Sequence, residues 1–273
     1  MPLDSKRIPG PRESFPVTNF ISTEKDNPDL VNDDGTRHDG RKPNDIRPIF
    51  LRCGIISNAK GSAYIETKDT KVTCAVYGPR QVVRREDFKL TGTLTCDFKF
   101  ATFSCQKRQQ HMQSSNEKDL SLIVLQAMEP AVCLEKYPRA QIDIFITVLQ
   151  NGGSALSAAI TCASAALAAA GIEMYDVVVG CSTRQIGNTC LVDPAYDEEY
   201  NSKTGGKNNG SLCLGLMPSL NQVSAFIECG ELETEILMQS IHSCVDGCMR
   251  IYPVVRQCLT KSIKSLQKHQ DGT

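Results

Sequence analysis

The stretch YPRAQIDIFITVLQNGGSALSAAITCASAALAAAGIEMYD, at residues 137–176, decides the fold. Isoleucine and valine alternate with other residues over 141–149, and this period of two predicts a β-strand. The glycine-containing triplet 151–153 ends that strand, because glycine accepts the backbone angles of a tight turn. Ser154 is a suitable N-cap for the helix that follows, and Gly171 ends that helix. A helix of alanine, serine and cysteine can lie very close to a sheet, so we predict that it is the central helix of the domain.

A glycine turn that leads into a helix is also a ready anion site. Backbone N–H groups at Gly152, Gly153 and Ser154 can face an anion there, and the helix dipole favours negative charge. Helix capping alone explains all three residues as well. Because the next residue, Ala155, supplies no positive charge, we favour the interpretation as a turn and cap.

The composition sets limits on the class of protein. The 273 residues suffice for one large domain or two small ones. The hydrophobic content of 41% and the charged content of 22% are ordinary for a soluble globular protein. The net charge of −1 gives no overall positive field, so any contact with RNA has to come from a local basic patch. The polar N-terminus does not resemble a secretory signal, and no run of about 20 apolar residues predicts a membrane span.

Thirteen cysteines are a high count for this length. They include no CxxC pair, and their scatter is typical of reduced, mostly buried thiols in a cytosolic or nuclear protein. His242, Cys244 and Cys248 lie near one another on a predicted helix, which raises the alternative of a metal site, but a second ligand pair at zinc spacing is missing. We therefore predict core cysteines, with neither a metal site nor another cofactor.

Strands and helices follow one another along the chain without strict alternation. Residues 1–36 are polar and aperiodic, which predicts a disordered or surface-wrapping N-terminal extension, and 37–273 are predicted to form a single domain. A polar loop at 193–210 precedes the last hairpin, and a long amphipathic helix over 232–267, broken or bent near Pro253, ends the chain. The predicted class is α+β, with mixed β-sheets packed on helices. The predicted strands cover 46–56, 61–67, 71–77, 94–100, 141–149, 177–183, 189–192, 211–217 and 222–228.

The first predicted helix spans 117–136, where apolar residues repeat at helical spacing. Ser115 or Asn116 is a suitable cap for it. Pro130 should kink this helix or remove one of its hydrogen bonds, because proline lacks the backbone N–H.

Five segments together resemble the ribonuclease PH family. They occur in the family's order and cover nearly all of the chain from Asp39 onward, and the combination is highly specific. They are DGRKPNDIRPI at 39–49, KGSAYIETKDTKVTCAVYGPR at 60–80, YPRAQIDIFITVLQNGGS at 137–154, GIEMYD at 171–176 and LMPSLNQV at 216–223. Within the family, GPRQ at 78–81 and YPV at 252–254 are similar to ring subunits of the eukaryotic RNA exosome. The resemblance implies a ribonuclease PH-like fold.

The resemblance also implies a chemistry and the residues that it needs. Active family members cleave the 3′-terminal phosphodiester of RNA with inorganic phosphate, which requires an anion clamp and a site that stabilises charge. The family's arginine after the GGS turn falls at Ala155, and its arginine pair before the first long helix falls at Ser115 and Asn116. Asp193 matches the first acidic position, and the second falls near Glu199. Loss of the arginines removes positioning worth several decades of rate, so the chain is expected not to be an enzyme. The degenerate site comprises Ser115, Asn116, Gly152, Gly153, Ser154, Ala155, Asp193 and Glu199.

Basic residues concentrate in loops that follow strands of one predicted sheet. These loops can meet on one face, which looks into a central channel in active relatives. A path for RNA phosphates and a solvated charged surface both fit this pattern. The candidate RNA-binding residues are Arg80, Arg84, Arg85, Lys99, Lys107 and Arg108.

The function that the resemblance implies is a catalytically inactive structural subunit of the RNA exosome ring. Such a subunit pairs with another ribonuclease PH-like chain, and three heterodimers close a six-membered ring that binds RNA-binding cap subunits and a processive 3′–5′ exoribonuclease. RNA 3′ ends pass through the channel for rRNA processing and RNA degradation, in the nucleus, nucleolus and cytoplasm. Two alternatives stay open: an active phosphate-dependent 3′–5′ exoribonuclease, and an RNA-binding protein that acts alone.

Overall fold

Two β-sheets and the helices packed on them form the part of the chain that the structure describes. This computed structural model describes residues 36–82, 90–187, 189–200 and 208–271. The first sheet contains β1 (Ile49–Cys53), β2 (Gly61–Thr67), β3 (Thr70–Gln81), β4 (Thr93–Phe100) and β5 (Ala140–Gln150), in the order β1-β2-β3-β5-β4. The second contains β6 (Val179–Ile186), β7 (Thr189–Val192), β8 (Asn209–Met217) and β9 (Gln222–Glu231), in the order β7-β6-β8-β9. The helices are α1 (Ser115–Met128), α2 (Ala155–Ala169), α3 (Tyr196–Glu199) and α4 (Thr234–Asp271).

Helix α2 lies between the two sheets and touches both of them. It packs on β2 and β3 of the first sheet and on β6 and β8 of the second. Two glycines permit this approach, because a Cβ on Gly61 would lie 2.4 Å from the carbonyl oxygen of Ala166, and one on Gly180 would lie 2.5 Å from that of Ser157. The sheets therefore meet this helix backbone to backbone. The prediction of a central helix of small residues is confirmed.

Strand β5 holds the first sheet together. It pairs antiparallel with β3 and parallel with β4, so the sheet is mixed. Its isoleucine and valine residues at alternate positions 142–148 are buried, as the period of two predicted. The core cluster includes residues of both sheets, α1, α2 and α4. The α+β class is confirmed. The glycine turn lies directly after the C-terminal end of β5.

Helix α1 differs from its prediction at both ends. Ser114, rather than Ser115 or Asn116, is the N-cap: its side chain accepts from the N–H of Glu117 at 3.3 Å, and the carboxylate of Glu117 accepts from the N–H of Ser114 at 2.6 Å. Ser115 and Asn116 instead form the first turn. The α-helix ends at Met128, and Pro130 lies in a 3₁₀ turn that follows, because proline cannot donate the next α-helical hydrogen bond.

The C-terminal region also departs from the predicted boundaries. The loop predicted at 193–210 contains the short helix α3, and residues 201–207 lie outside the described part. Helix α4 continues without a break across Pro253, because its packing on β6, β8 and β1 holds the helix on both sides of the proline. Residues 1–35 also lie outside the described part, so the predicted N-terminal extension and the domain division stay predictions.

The cysteines suggested as an alternative metal site belong to the core. Cys244 and Cys248 are fully buried on α4, and their thiols lie against backbone carbonyls of β6 and β8. Within the described ranges, no group of three or more His, Cys, Asp or Glu side chains is arranged to hold a metal ion. No described helix is both long and apolar enough to cross a membrane.

Candidate anion site at the glycine turn

Arg47, which precedes β1, ties the glycine turn to Asp193. Its Nε and Nη2 donate to the two carboxylate oxygens of Asp193 at 2.9 and 2.6 Å. Its Nη1 donates to the carbonyl of Gly152 at 2.9 Å and to the hydroxyl of Thr70 at 3.2 Å. Its Nη2 also donates to the carbonyl of Gly153 at 3.0 Å. All three nitrogens of the guanidinium therefore donate to groups of the protein itself, and the guanidinium is not free to bind an added anion.

The ion pair between Arg47 and Asp193 is buried, and each group changes the ionisation of the other. Burial by itself raises the pKa of Asp193, but the hydrogen bonds and charge of Arg47 outweigh it, and the pKa of that carboxyl is lowered. Burial lowers the pKa of Arg47, and the partnership with Asp193 outweighs it in turn, so that the pKa is raised. Both groups stay charged at neutral pH. We therefore interpret Asp193 as one half of a structural ion pair.

Ser154 does not cap α2 in the predicted way. Its backbone is left-handed, with φ of 56° and ψ of 32°, and its side chain makes no hydrogen bond to the first turn of the helix. The hydroxyl instead donates to the carbonyl of Pro194 at 2.9 Å. Ser154 is therefore the N-cap residue, as predicted, and its carbonyl accepts from the N–H of Ala158, but its side chain does not cap the helix. Ser154 joins the turn to the acidic segment that follows β7.

Each of the three backbone N–H groups proposed as anion donors is already bound by a side chain of this protein. The N–H of Gly152 donates to the hydroxyl of Thr70 at 3.2 Å, and the N–H of Gly153 donates to the side-chain oxygen of Asn151 at 3.2 Å. The N–H of Ser154 donates to the carboxyl group of Glu199 at 2.9 Å. Burial raises the pKa of Glu199, while the Ser154 N–H and the charge of Arg47 oppose that rise. A carboxyl group of the chain itself therefore occupies the anion position.

The positions of the missing arginines supply no cation. Ala155 is buried at the start of α2. Ser115 and Asn116 are exposed in the first turn of α1, beyond the end of β4. Glu199 binds the glycine turn directly and Asp193 is linked to it through Arg47, whereas Ser115 and Asn116 make no described hydrogen bond to that turn. Each backbone N–H of the turn already donates to a group of the protein itself.

Comparisons with known proteins settle the family. The profile of the 3′ exoribonuclease family, domain 1 (RNase PH), matches residues 45–173. The exosome complex component MTR3 of Mus musculus is 40% identical to this chain, over 97% of the chain and 97% of its own length. The chain belongs to the ribonuclease PH family.

Solved structures share the ribonuclease PH-like fold. Rrp46 of rice (Oryza sativa) matches with a TM-score of 0.71 and 24% identity, covering 82% of this chain and 100% of its own. A chain of the Archaeoglobus fulgidus exosome with RNA bound to the active site matches with a TM-score of 0.71 and 20% identity, covering 81% of this chain and 92% of its own. At these identities the likeness shows the fold alone. It confirms the fold that the resemblance implied.

Two of the predicted RNA-binding residues of this ribonuclease PH chain, Arg80 and Lys99, lie at opposite ends of the first sheet. Arg80 pairs with the buried Asp143 at 2.5 Å, near the start of β5. Lys99 donates to the carbonyl of His111 and lies opposite Thr147, near the end of β5. Because Arg80 lies opposite Gln141, six residues earlier on that strand, the two positions are about 20 Å apart. Lys107 and Arg108 are exposed in the loop after β4, whereas Arg84 and Arg85 lie outside the described residues.

Sequence reasoning missed two further arginines of this junction. Arg37 is fully buried and donates to the carbonyls of Pro43 and Val192, each at 2.5 Å, and its guanidinium lies 3.5 Å from the carboxylate of Glu198. Burial lowers the pKa of Arg37, and Glu198 opposes that shift. Arg41 donates to the carbonyl of Asp193 at 3.2 Å. The signal was the series of three arginines at 37, 41 and 47, of which the last two lie in the segment 39–49 that carries the family resemblance.

We expect the Asp193→Asn variant to change how stability depends on pH. The folded-state pKa of Asp193 is lowered, so its contribution to the unfolding free energy is full above the unfolded pKa and is lost as the pH falls through the folded pKa. The raised pKa of Glu199 has the opposite effect. The folded protein binds a proton at Glu199 more readily than the unfolded chain does, so this group adds to the unfolding free energy as the pH falls.

Asp193→Asn should lower the unfolding free energy at pH 7 by about 2–3 kcal/mol. This prediction is checked by urea unfolding of the wild type and of the Asp193→Asn variant between pH 7 and pH 2. Their difference in unfolding free energy should be largest near neutral pH and should shrink below about pH 4, where Asp193 becomes protonated in the unfolded chain. A difference that stays constant down to pH 2 would contradict the assignment of this ion pair.

Proposed function

We propose that this chain is a non-catalytic ring subunit of an RNA exosome, and that it helps to form the channel that guides RNA 3′ ends to an associated 3′–5′ exoribonuclease. The support for membership is its 40% identity to mouse MTR3, named an exosome complex component, over nearly the full length of both chains. The proposed partners are other ribonuclease PH-like subunits, RNA-binding cap subunits and the exoribonuclease. The proposed setting is rRNA processing and RNA degradation in the nucleus, nucleolus and cytoplasm.

One observation carries the proposal that the subunit is not catalytic: the anion position at the start of α2 holds the carboxyl group of Glu199. Inorganic phosphate would have to displace this group from the N–H of Ser154 and would then lie beside it. Arg47 cannot compensate, because its guanidinium is bound to Asp193 and to the carbonyls of the turn. Two neighbouring anions in a partly buried site repel each other strongly. A phosphate at this position would therefore find neither a free N–H donor nor a free positive charge.

The approach to the turn from solvent is also poorly suited to phosphate. A cleft of about 680 Å³ opens beside Gly152. Among the described residues, its lining includes the carboxylates Asp69 and Asp197 and one cation, Lys71. The described lining therefore offers no arginine fork for a phosphate, and it has more negative than positive side chains.

The test is a phosphorolysis assay on the full chain, alone and together with its ribonuclease PH-like partner. The substrate is RNA with a 3′-hydroxyl end, supplied with inorganic phosphate and Mg²⁺, and the readout is release of nucleoside diphosphate. We expect none above the blank, while a catalytic family member under the same conditions provides the positive control. Phosphate-dependent release by this chain would establish the alternative, an active exoribonuclease.

One variant distinguishes two explanations for inactivity: the missing arginine at position 155, and the Glu199 carboxyl group that binds the Ser154 N–H. We expect Ala155→Arg to remain inactive, because the Glu199 carboxyl still binds the Ser154 N–H. Activity of Ala155→Arg alone would contradict the role given to Glu199. Circular dichroism and the unfolding midpoint should be measured alongside, so that loss of folding is not read as loss of activity.

Assembly needs its own experiment. The full chain should co-purify from cells with other ribonuclease PH-like subunits at near-equal stoichiometry, and a monomer without such partners would contradict ring membership. RNA affinity should appear in the assembled ring. If the isolated chain bound RNA equally well, with a steep dependence on salt, the alternative of a protein that binds RNA on its own would gain support instead.

A further inference from the structure

Two cysteine thiols far apart in the sequence lie next to each other on the side of the molecule away from the glycine turn. The sulfurs of Cys53, at the end of β1, and Cys258, on α4, are 3.7 Å apart, and both residues are partly exposed. The thiol of Cys258 also lies 3.2 Å from the carbonyl oxygen of Leu51, which fixes its side chain toward the strand. We propose that Cys53 and Cys258 are an oxidisable pair that closes a disulfide between β1 and α4.

Solvent reaches this pair through an open groove. The groove lies between β1 and the C-terminal half of α4, has a volume of about 700 Å³, and is lined by both cysteines. Other neighbouring thiols differ in this respect, because Cys181 of β6 and Cys244 and Cys248 of α4 are buried where these two elements pack together. A small oxidant therefore meets Cys53 and Cys258 without unfolding the protein. Access and proximity together single out this pair among the described cysteines.

The geometry requires only a local movement. A disulfide bond is about 2.05 Å long, so the two sulfurs have to approach each other by about 1.7 Å. Rotation of the side chains toward each other brings sulfurs closer without any change in the order of strands and helices. β1 is an edge strand of its sheet and packs against α4. The pair thus joins two elements that already touch.

Hydrogen peroxide can serve as the oxidant that converts the two thiols to a disulfide. The sulfur of one cysteine, as its thiolate, attacks a peroxide oxygen and breaks the O–O bond, which gives a sulfenic acid and a hydroxide that takes up a proton to become water. The second sulfur attacks the sulfenic sulfur, the S–S bond forms and the hydroxyl group leaves as a second water. Two thiols and one hydrogen peroxide molecule thus yield one disulfide and two water molecules.

The local environment makes this reaction slow. Burial, together with the neighbouring Cys258, raises the pKa of Cys53 to about 12. Few Cys53 thiols are therefore ionised at neutral pH, and the pair should respond to sustained oxidation rather than to trace peroxide. The resulting bond would connect residues 205 positions apart, which restricts the unfolded chain. We expect the oxidised protein to have a thermal midpoint roughly 5–15 °C above that of the reduced one.

The sequence makes the product easy to detect. Trypsin cleaves after Arg52 and Lys60 to release CGIISNAK, and after Arg256 and Lys261 to release QCLTK, each with a single cysteine. The full chain is treated with hydrogen peroxide, free thiols are blocked with iodoacetamide, and the digest is analysed by mass spectrometry without reduction. We expect the two peptides joined by a disulfide, and dithiothreitol should separate them.

Matched variants complete the test. Cys53→Ser and Cys258→Ser should each abolish the linked peptide and the rise in thermal midpoint, whereas Cys229→Ser, which removes an exposed cysteine elsewhere, should preserve both. The wild-type digest needs no variant to fold, so it decides the question by itself. Recovery of both peptides as separate alkylated species, under conditions that oxidise Cys229, would overturn the proposal. So would a disulfide that joins either cysteine to a different partner.

Discussion

Replacing Arg47 with alanine is expected to lower the unfolding free energy by about 3–5 kcal/mol, because it leaves a buried carboxylate without its partner. The guanidinium donates to both oxygens of Asp193 and to the carbonyls of Gly152 and Gly153. Alanine removes all of these donors at once, and water reaches the buried carboxylate poorly. Urea or guanidinium unfolding at pH 7, with the midpoint and slope measured for both proteins, checks the prediction.

Three comparisons show whether the effect comes from the fork geometry. Arg52→Ala removes an exposed arginine on the adjacent strand and should change the unfolding free energy by less than about 0.5 kcal/mol. Arg47→Lys keeps the charge but loses the planar fork, so it should fall between the wild type and Arg47→Ala. In a double-mutant cycle with Asp193→Ala, the two losses should be strongly non-additive. Additive losses would show that the two side chains act independently.

The second large effect is expected at Gly61, where alanine should cost about 3 kcal/mol. Its Cβ would lie 2.4 Å from the carbonyl oxygen of Ala166 and 2.4 Å from the backbone nitrogen of Ala170. Because both atoms belong to the backbone of α2, no side chain can turn aside, and the helix has to move away from the sheet. Thermal and chemical unfolding of Gly61→Ala would measure the cost.

Gly171→Ala provides the matched control, since it adds the same methyl group just beyond the same helix. A Cβ on Gly171 would meet nothing within 4 Å, although its φ of 71° is unfavourable for alanine. That strain costs about 1 kcal/mol. We therefore expect the Gly61 variant to lose clearly more stability than the Gly171 variant. Equal losses would contradict the close approach of α2 as the cause of the loss at Gly61, because the entropy of the unfolded chain favours alanine over glycine at both positions.

The sequence alone predicted the centre of this fold because the relevant signals are local. Alternating apolar residues marked β5, and the run of small residues marked α2 as a helix that lies close to a sheet. The cap of α1 was also readable, since Ser114 and Glu117 have the spacing of a capping box, although the prediction chose the two residues next to Ser114. Such features depend on residues three or four positions apart.

The candidate site was less predictable because its contacts join distant parts of the chain. Glu199 reaches Ser154 across 45 residues, and Arg47 reaches Asp193 across 146. No local pattern indicates that a serine in a capping position has a left-handed backbone, or that an arginine is buried instead of exposed. The family resemblance assigned Asp193 and Glu199 to the degenerate site without giving their contacts. Only the three-dimensional arrangement showed that Glu199 takes the place of an added anion.

The span between Arg47 and Asp193 has a consequence for synthesis of the chain on the ribosome. Arg47 precedes its carboxylate partner by 146 residues. At ordinary elongation rates, about 7–30 s pass between the appearance of the two side chains. During that interval the strands of the first sheet are synthesised, but the carboxylate that binds the fork of Arg47 is still missing. We therefore expect the contacts around the glycine turn to form only after Asp193, the residue that follows β7, has left the ribosome.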